Sequence, residues 1–100
     1  MKIDVKSEGN KKWITPDGRL DTAAASEFSS VIEQELQGGV KELVIDMEKC
    51  GYVASSGLRV ILQAQKTMNR VGGTMVVRHV NEVVKEVFEM TGFSSILTIE

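Results

Sequence analysis

Apolar residues recur along this chain with two different periods, and the points where the period changes mark out its elements. Ile3 to Lys6 alternates apolar and polar, as does Lys12 to Thr15, and Glu8-Gly9-Asn10 between them supplies turn chemistry. That pattern predicts a β-hairpin. Pro16 has no N–H for a ladder, so the second strand either has an exposed edge there or ends. From Thr22 to Gln37 the period is helical: Ala25, Phe28, Val31, Ile32 and Leu36 mark one face, and Glu27, Glu33, Gln34 and Glu35 lie mostly on the other. Asp21 stands where an N-cap belongs, and Gly38-Gly39 where a left-handed stop belongs.

Leu43-Val44-Ile45 is continuously apolar and largely β-branched, the pattern of a strand covered on both faces, which implies a parallel sheet. A loop through Cys50, Gly51 and Tyr52 follows. Ser56 is then the candidate N-cap of a helix with Leu58, Ile61, Leu62 and Met68 at core spacing, ended by Gly72-Gly73. A strand around Met75-Val76-Val77, a helix capped by Asn81 and bearing Val83, Val84, Val87 and Phe88, and a short strand from Ile96 to Ile99 complete the chain. The expected fold is a single α/β domain over residues 1–100, in the order β-β-α-β-α-β-α-β, with helices packed on a mixed, mostly parallel sheet. Right-handed crossovers make the last four strands parallel, with the first antiparallel to the second.

One hundred residues support one core and not two, and 42% hydrophobic with 26% charged residues is an ordinary globular balance. A net charge of -2, with no basic cluster beyond Lys11-Lys12, provides no field to hold DNA or RNA. No apolar run approaches the ~20 residues that span a bilayer, and Lys2, Asp4, Lys6 and Glu8 do not suit a signal peptide. A cytoplasmic protein that neither binds nucleic acid nor inserts into membranes is expected. Cys50 is the sole cysteine, so no internal disulfide forms, and His79 is the sole histidine, too few for a triad or a metal cluster. Phosphate loops, dinucleotide fingerprints and the G-x-S-x-G frame are all missing from the sequence. These features favour a binding module over an enzyme, with no catalytic residues, cofactor or metal.

In an open α/β sheet, functional groups gather where chains leave the carboxyl ends of parallel strands. Three loops qualify: Asp17 to Asp21, Asp46 to Ser56, and Arg78 to Asn81. They bring Asp21, Asp46 and Ser56 to one edge. Ser56, in the first turn of its helix, can act as an ordinary cap or carry a phosphate that the free amides and helix dipole tolerate. Asp46 is either a solvated strand end or a carboxylate that helps orient the serine. Arg59, one turn on, can stay solvated, steady a phosphate or touch a partner. Trp13 and Tyr52 suit packing better than base stacking, and Met90 and Phe93 can either dock on the core or form a partner patch.

The stretch from Asp46 to Leu62, with Tyr52-Val53-Ala54-Ser55-Ser56-Gly57-Leu58-Arg59-Val60 at its centre, resembles the STAS family, shared by sulphate transporters and anti-sigma-factor antagonists. Gly18-Arg19-Leu20-Asp21 resembles that family's second motif, and the order of elements matches as well. The resemblance implies a bacterial antagonist that binds an anti-sigma factor which is also a serine kinase. That partner would inactivate it by phosphorylating Ser56, and a phosphatase acting on phosphoserine would restore it. It also implies partner contacts at Asp21, Ser55, Ser56, Gly57 and Arg59. One departure stands out: antagonists of the best-known pattern have an aspartate before the two serines, where this chain has Ala54. An unphosphorylated STAS module of a lipid-transport or stress-signalling complex is the alternative that this departure admits.

Overall fold

The computed structural model describes residues 1–100. Strands β1 (Lys2–Glu8) and β2 (Lys11–Leu20) form the expected antiparallel hairpin, in a register that sets Ile3 opposite Pro16 and Val5 opposite Ile14. Next come α1 (Thr22–Glu35), β3 (Glu42–Asp46), β4 (Cys50–Val53), α2 (Ser55–Arg70), β5 (Thr74–Arg78), α3 (Glu82–Met90) and a 3-10 turn at Phe93–Ser95. The strand order is β1-β2-β3-β5, with β4 also paired to β2. β3, β4 and β5 all join their neighbours in parallel. The sheet is thus mixed and mostly parallel.

Leu43, Val44 and Ile45 are buried at the centre of that sheet, between β2 and β5, which is what a continuous apolar run requires. One core cluster of 20 buried residues reaches from Ile14 on β2 through Phe28 on α1 and Ile61 on α2 to Phe88 on α3 and Leu97. Every strand and α-helix except β1 contributes to it, so the helices are held by packing rather than by propensity. No helix is long and apolar enough to cross a membrane.

The structure departs from the sequence expectations at several points. Cys50 to Val53 is a strand and not a loop: Gly18 pairs with Cys50, Arg19 with Tyr52 and Leu20 with Val53. β2 is long enough to pair with β3 through Lys11–Ile14 and then with β4 from Gly18. Pro16 neither ends the strand nor disrupts a ladder on that side, because it falls where β2 has no parallel partner. For the same reason Asp17 to Leu20 belongs to β2, and only Asp21 remains as connection to α1. At the carboxyl end, the expected strand Ile96–Ile99 is reduced to one parallel bridge between Ile99 and Val77, held by Val77 N–H to Thr98 O and Glu100 N–H to Val77 O, both 2.9 Å. Of the apolar residues read on α3, Val83 is 61% exposed, while Val84 and Phe88 carry the burial.

Candidate functional site

The first turn of α2 is where the structure departs most usefully from the pattern of the sequence. The N-cap is Ala54, not Ser56, and it offers no side-chain acceptor. Ser56 is therefore the second residue of the helix, and its hydroxyl is free of the capping role expected for it. Its bonded side-chain partner is Thr22, the first residue of α1, at 3.4 Å between the two hydroxyl oxygens. Leu58 N–H makes the first helical bond, to Ala54 O at 3.0 Å, so the amides of Ser55, Ser56 and Gly57 precede the intrahelical ladder.

The neighbours of Ser56 are fixed by β2 and β4 lying side by side. Leu20 pairs with Val53, and Ala54 N–H donates to Leu20 O at 2.9 Å, so the next residues along each strand, Asp21 and Ala54, leave the same edge together. Asp21 is exposed and caps α1, its Oδ1 accepting from Ala24 N–H at 2.9 Å. Ser55 and Arg59 are exposed and Ser56 is half-buried. Gly57 is different. It is buried under β2, and a Cβ there would come within 2.7 Å of Leu20 Cγ and 3.1 Å of Leu20 O. Its contribution to this edge is the close approach of α2 to β2, which sets where Ser55, Ser56 and Arg59 stand. Arg19 lies over the Tyr52 ring, 4.2 Å from its centroid, and joins the ends of β2 and β4.

Asp46 reaches the same edge at the end of β3, but its carboxylate is engaged elsewhere. Oδ1 accepts from Glu48 N–H at 3.0 Å and meets His79 Nδ1 at 2.9 Å, so this oxygen is committed to the ends of β3 and β5. Burial pushes its carboxyl up. The Glu48 amide, the His79 hydrogen bond and the nearby charges of His79 and Arg78 together outweigh that and hold it below the usual carboxylate value. Asp46, Glu48 and His79 bring ligand atoms within 4.8 Å of one another, the one set of side chains with the donors for a metal ion. The sequence did not point to this set because His79 is 33 residues from Asp46. The Asp46–His79 hydrogen bond accounts for the closeness of those two groups, while Glu48 meets Asp46 through its backbone N–H.

Cys50 is buried, which pushes its thiol up, and backbone bonds involving Tyr52 and Leu20 only partly oppose that. A neutral thiol is a poor nucleophile, and Cys50 packs as part of the core. Met90 and Phe93 divide the alternatives left open for them: Phe93 packs against the core and Met90 is 78% exposed.

The family model described as the STAS domain matches residues 2–100. The chain is 32% identical over 82 residues to BtrV of Bordetella bronchiseptica, a candidate anti-sigma factor antagonist, covering 82% of this chain and 71% of that protein. It is 21% identical over 101 residues to the anti-sigma-B factor antagonist of Staphylococcus aureus, covering 99% and 94%. Among solved structures, a candidate anti-sigma factor antagonist from Thermotoga maritima superposes with a TM-score of 0.90 at 22% identity, over 97% of this chain and 84% of that one. The anti-sigma factor antagonist SpoIIAA in its unphosphorylated form gives 0.78 at 18% identity, over 99% and 87%. SpoIIAA has also been solved in a phosphorylated form, which gives 0.77 at 19% identity over 99% and 91%.

Proposed function

This chain belongs to the STAS domain family, and we propose that it acts there as an anti-sigma factor antagonist, a cytoplasmic binding module that captures a kinase-type anti-sigma factor until its own Ser56 is phosphorylated. The carrying observation is that the Ser56 hydroxyl stands in the first turn of α2 with no cap to make, at the edge it shares with Asp21. An acceptor for a phosphoryl group needs an accessible hydroxyl that the fold does not require for itself. Ser56 meets a threonine hydroxyl and no base, which supports the role of acceptor over that of a hydrolase nucleophile. Phosphoryl transfer would move the γ-phosphoryl of ATP to Ser56 Oγ, with loss of the hydroxyl proton and release of ADP. A phosphatase acting on phosphoserine would reverse the state.

Phosphate on Ser56 adds about -1.5 to -2 charges, which the dipole of α2 offsets by ~0.3–1 kcal/mol, so the fold survives. An interface built over the unmodified serine is affected far more, since burying an unmatched dianion costs several kcal/mol, and even ~3 kcal/mol is more than a hundredfold in affinity. Asp21, Ser55 and Arg59 are the exposed groups through which the partner would be recognised, over a backbone fixed by Gly57.

The test combines purified chain, a serine-kinase anti-sigma factor from the same cell and ATP, with the modified residue mapped by mass spectrometry and affinities measured by calorimetry. Ser56→Ala should bind and resist modification, and Ser56→Asp should fold but bind at least tenfold more weakly. Asp21→Asn keeps most of the cap and should weaken binding without a matching loss of stability. Phosphate found on Ser55, or Ser56→Asp binding as tightly as wild type, would sink the switch and favour an unphosphorylated scaffold.

A further inference from the structure

A groove between α1 and α2 opens beside Ser56. Thr22, Ser26 and Ser30 line it from α1, and Ser56, Arg59 and Gln63 from α2. Each of these side chains carries a hydrogen-bond donor, Arg59 supplies the one charge, and no carboxylate lies on the lining. Asp21, the acid nearest in sequence, faces a separate depression with Asp17 and Arg19, and one of its oxygens is committed to Ala24 N–H. The groove is therefore suited to an anion, and the hydroxyl at its mouth is the one assigned a phosphate above.

We infer that the phosphate on Ser56 is held by the chain itself at the mouth of this groove, with the Thr22 hydroxyl and the Arg59 guanidinium donating to its oxygens. This rests on reading Ser56 as the phosphoacceptor. Thr22 already touches Ser56 Oγ at 3.4 Å, so a phosphate built on that oxygen is within its reach. Arg59 follows Ser56 by three residues, which sets both on one face of α2, and its exposure leaves the guanidinium free to swing inward. Thr22 is then a positioning residue that no sequence pattern indicated. Arg59 changes employment between states: it faces the partner when Ser56 is bare and turns to the phosphate when Ser56 is modified. Phosphorylation would remove a partner contact in the same step that adds repulsive charge.

The experiment installs phosphoserine at position 56 during synthesis, so no kinase is involved, and follows the second ionisation of the phosphate by phosphorus NMR. A peptide of residues 51–61 carrying the same phosphoserine is the unstructured reference, with its second pKa near ~6. In the folded chain that ionisation should fall below the peptide's by about half a unit or more, because donors favour the dianion. Thr22→Val and Arg59→Gln should each move it back towards the peptide, and Thr22→Ser should not. Both positions are exposed, and amide spectra verify that the variants keep the fold. A phosphate that titrates like the peptide's, or a lowered value that survives both substitutions, overturns the inference; the second result would assign the effect to the amides of α2 alone. A chain that no kinase modifies still gives this readout, so the cradle and the switch fail in separate experiments.

Discussion

Leu20 and Gly57 form the tightest contact beneath the proposed interface. Leu20 is wholly buried, so a Cβ 2.7 Å from its Cγ leaves the leucine no open space to move into. Overpacking of this kind costs ~1–3 kcal/mol, set against roughly 0.5–1 kcal/mol gained when alanine replaces glycine in a helix. Gly57→Ala should therefore lower stability by about 1–2 kcal/mol in urea denaturation. Stability equal to wild type or above would mean that α2 can lift from β2 at no cost. Because Ser56 precedes this residue, the same substitution should loosen partner binding without touching an exposed side chain. Ser56 itself was legible as a residue of interest but not in its local role, since a serine near a helix start usually caps and here the cap position falls on Ala54.

Helix starts in this chain follow two designs. Asp21 caps α1 through Ala24 N–H and Asn81 caps α3 through Val84 N–H at 2.8 Å, whereas α2 has no side-chain cap. The helix with the uncapped start is the one that carries Ser56. At the ends of β3 and β5, Asp46 and His79 tie neighbouring strands together, with His79 in left-handed backbone (φ 57). Asp46 is held below its ordinary value, so in the folded state it binds its proton less readily than in the unfolded chain. Its contribution to stability is present above the unfolded pKa of ~3.9 and is lost as the pH falls through the lower folded value. Urea midpoints measured from about pH 6 down to about pH 3 should fall less steeply for Asp46→Asn than for wild type, and the variant should be the less stable at neutral pH. Parallel profiles would show that the contacts of the Asp46 carboxylate with Glu48 N–H and His79 have no effect on folding.

Across the whole molecule, one core links the hairpin to the last helix. Trp13 stands on β2, flanked by Lys6 and Lys11 with their ammonium groups 5.3 and 4.7 Å from its ring centroid, and reports on the sheet. Phe88 is wholly buried on α3, far along the chain. If residues 1–100 unfold as one unit, Phe88→Ala should cost about 3–5 kcal/mol and shift the Trp13 fluorescence midpoint and the far-ultraviolet helix signal together. Separate midpoints would mean that α3 and the carboxyl-terminal turn come away from the sheet on their own.

What the sequence by itself determined was local. The helical faces of α1, α2 and α3, the caps at Asp21 and Asn81, and the buried parallel strand at Leu43 to Ile45 all follow from interactions within a few residues, where side-chain type and spacing set the energy. The parallel-strand reading also placed Asp21 and Ser56 on one edge, because parallel strands send their carboxyl ends the same way. Only the tertiary structure decided that Cys50 to Val53 is a strand, that Ile96 to Ile99 reduces to a single bridge, and that Ser56 meets Thr22 from 34 residues away. Backbone N–H and C=O groups are alike in nearly every residue, so a sequence cannot say which other segment will pair with them. Nor can it say which hydroxyls the packing of two helices will bring together, since that depends on how closely glycine at position 57 lets α2 approach β2.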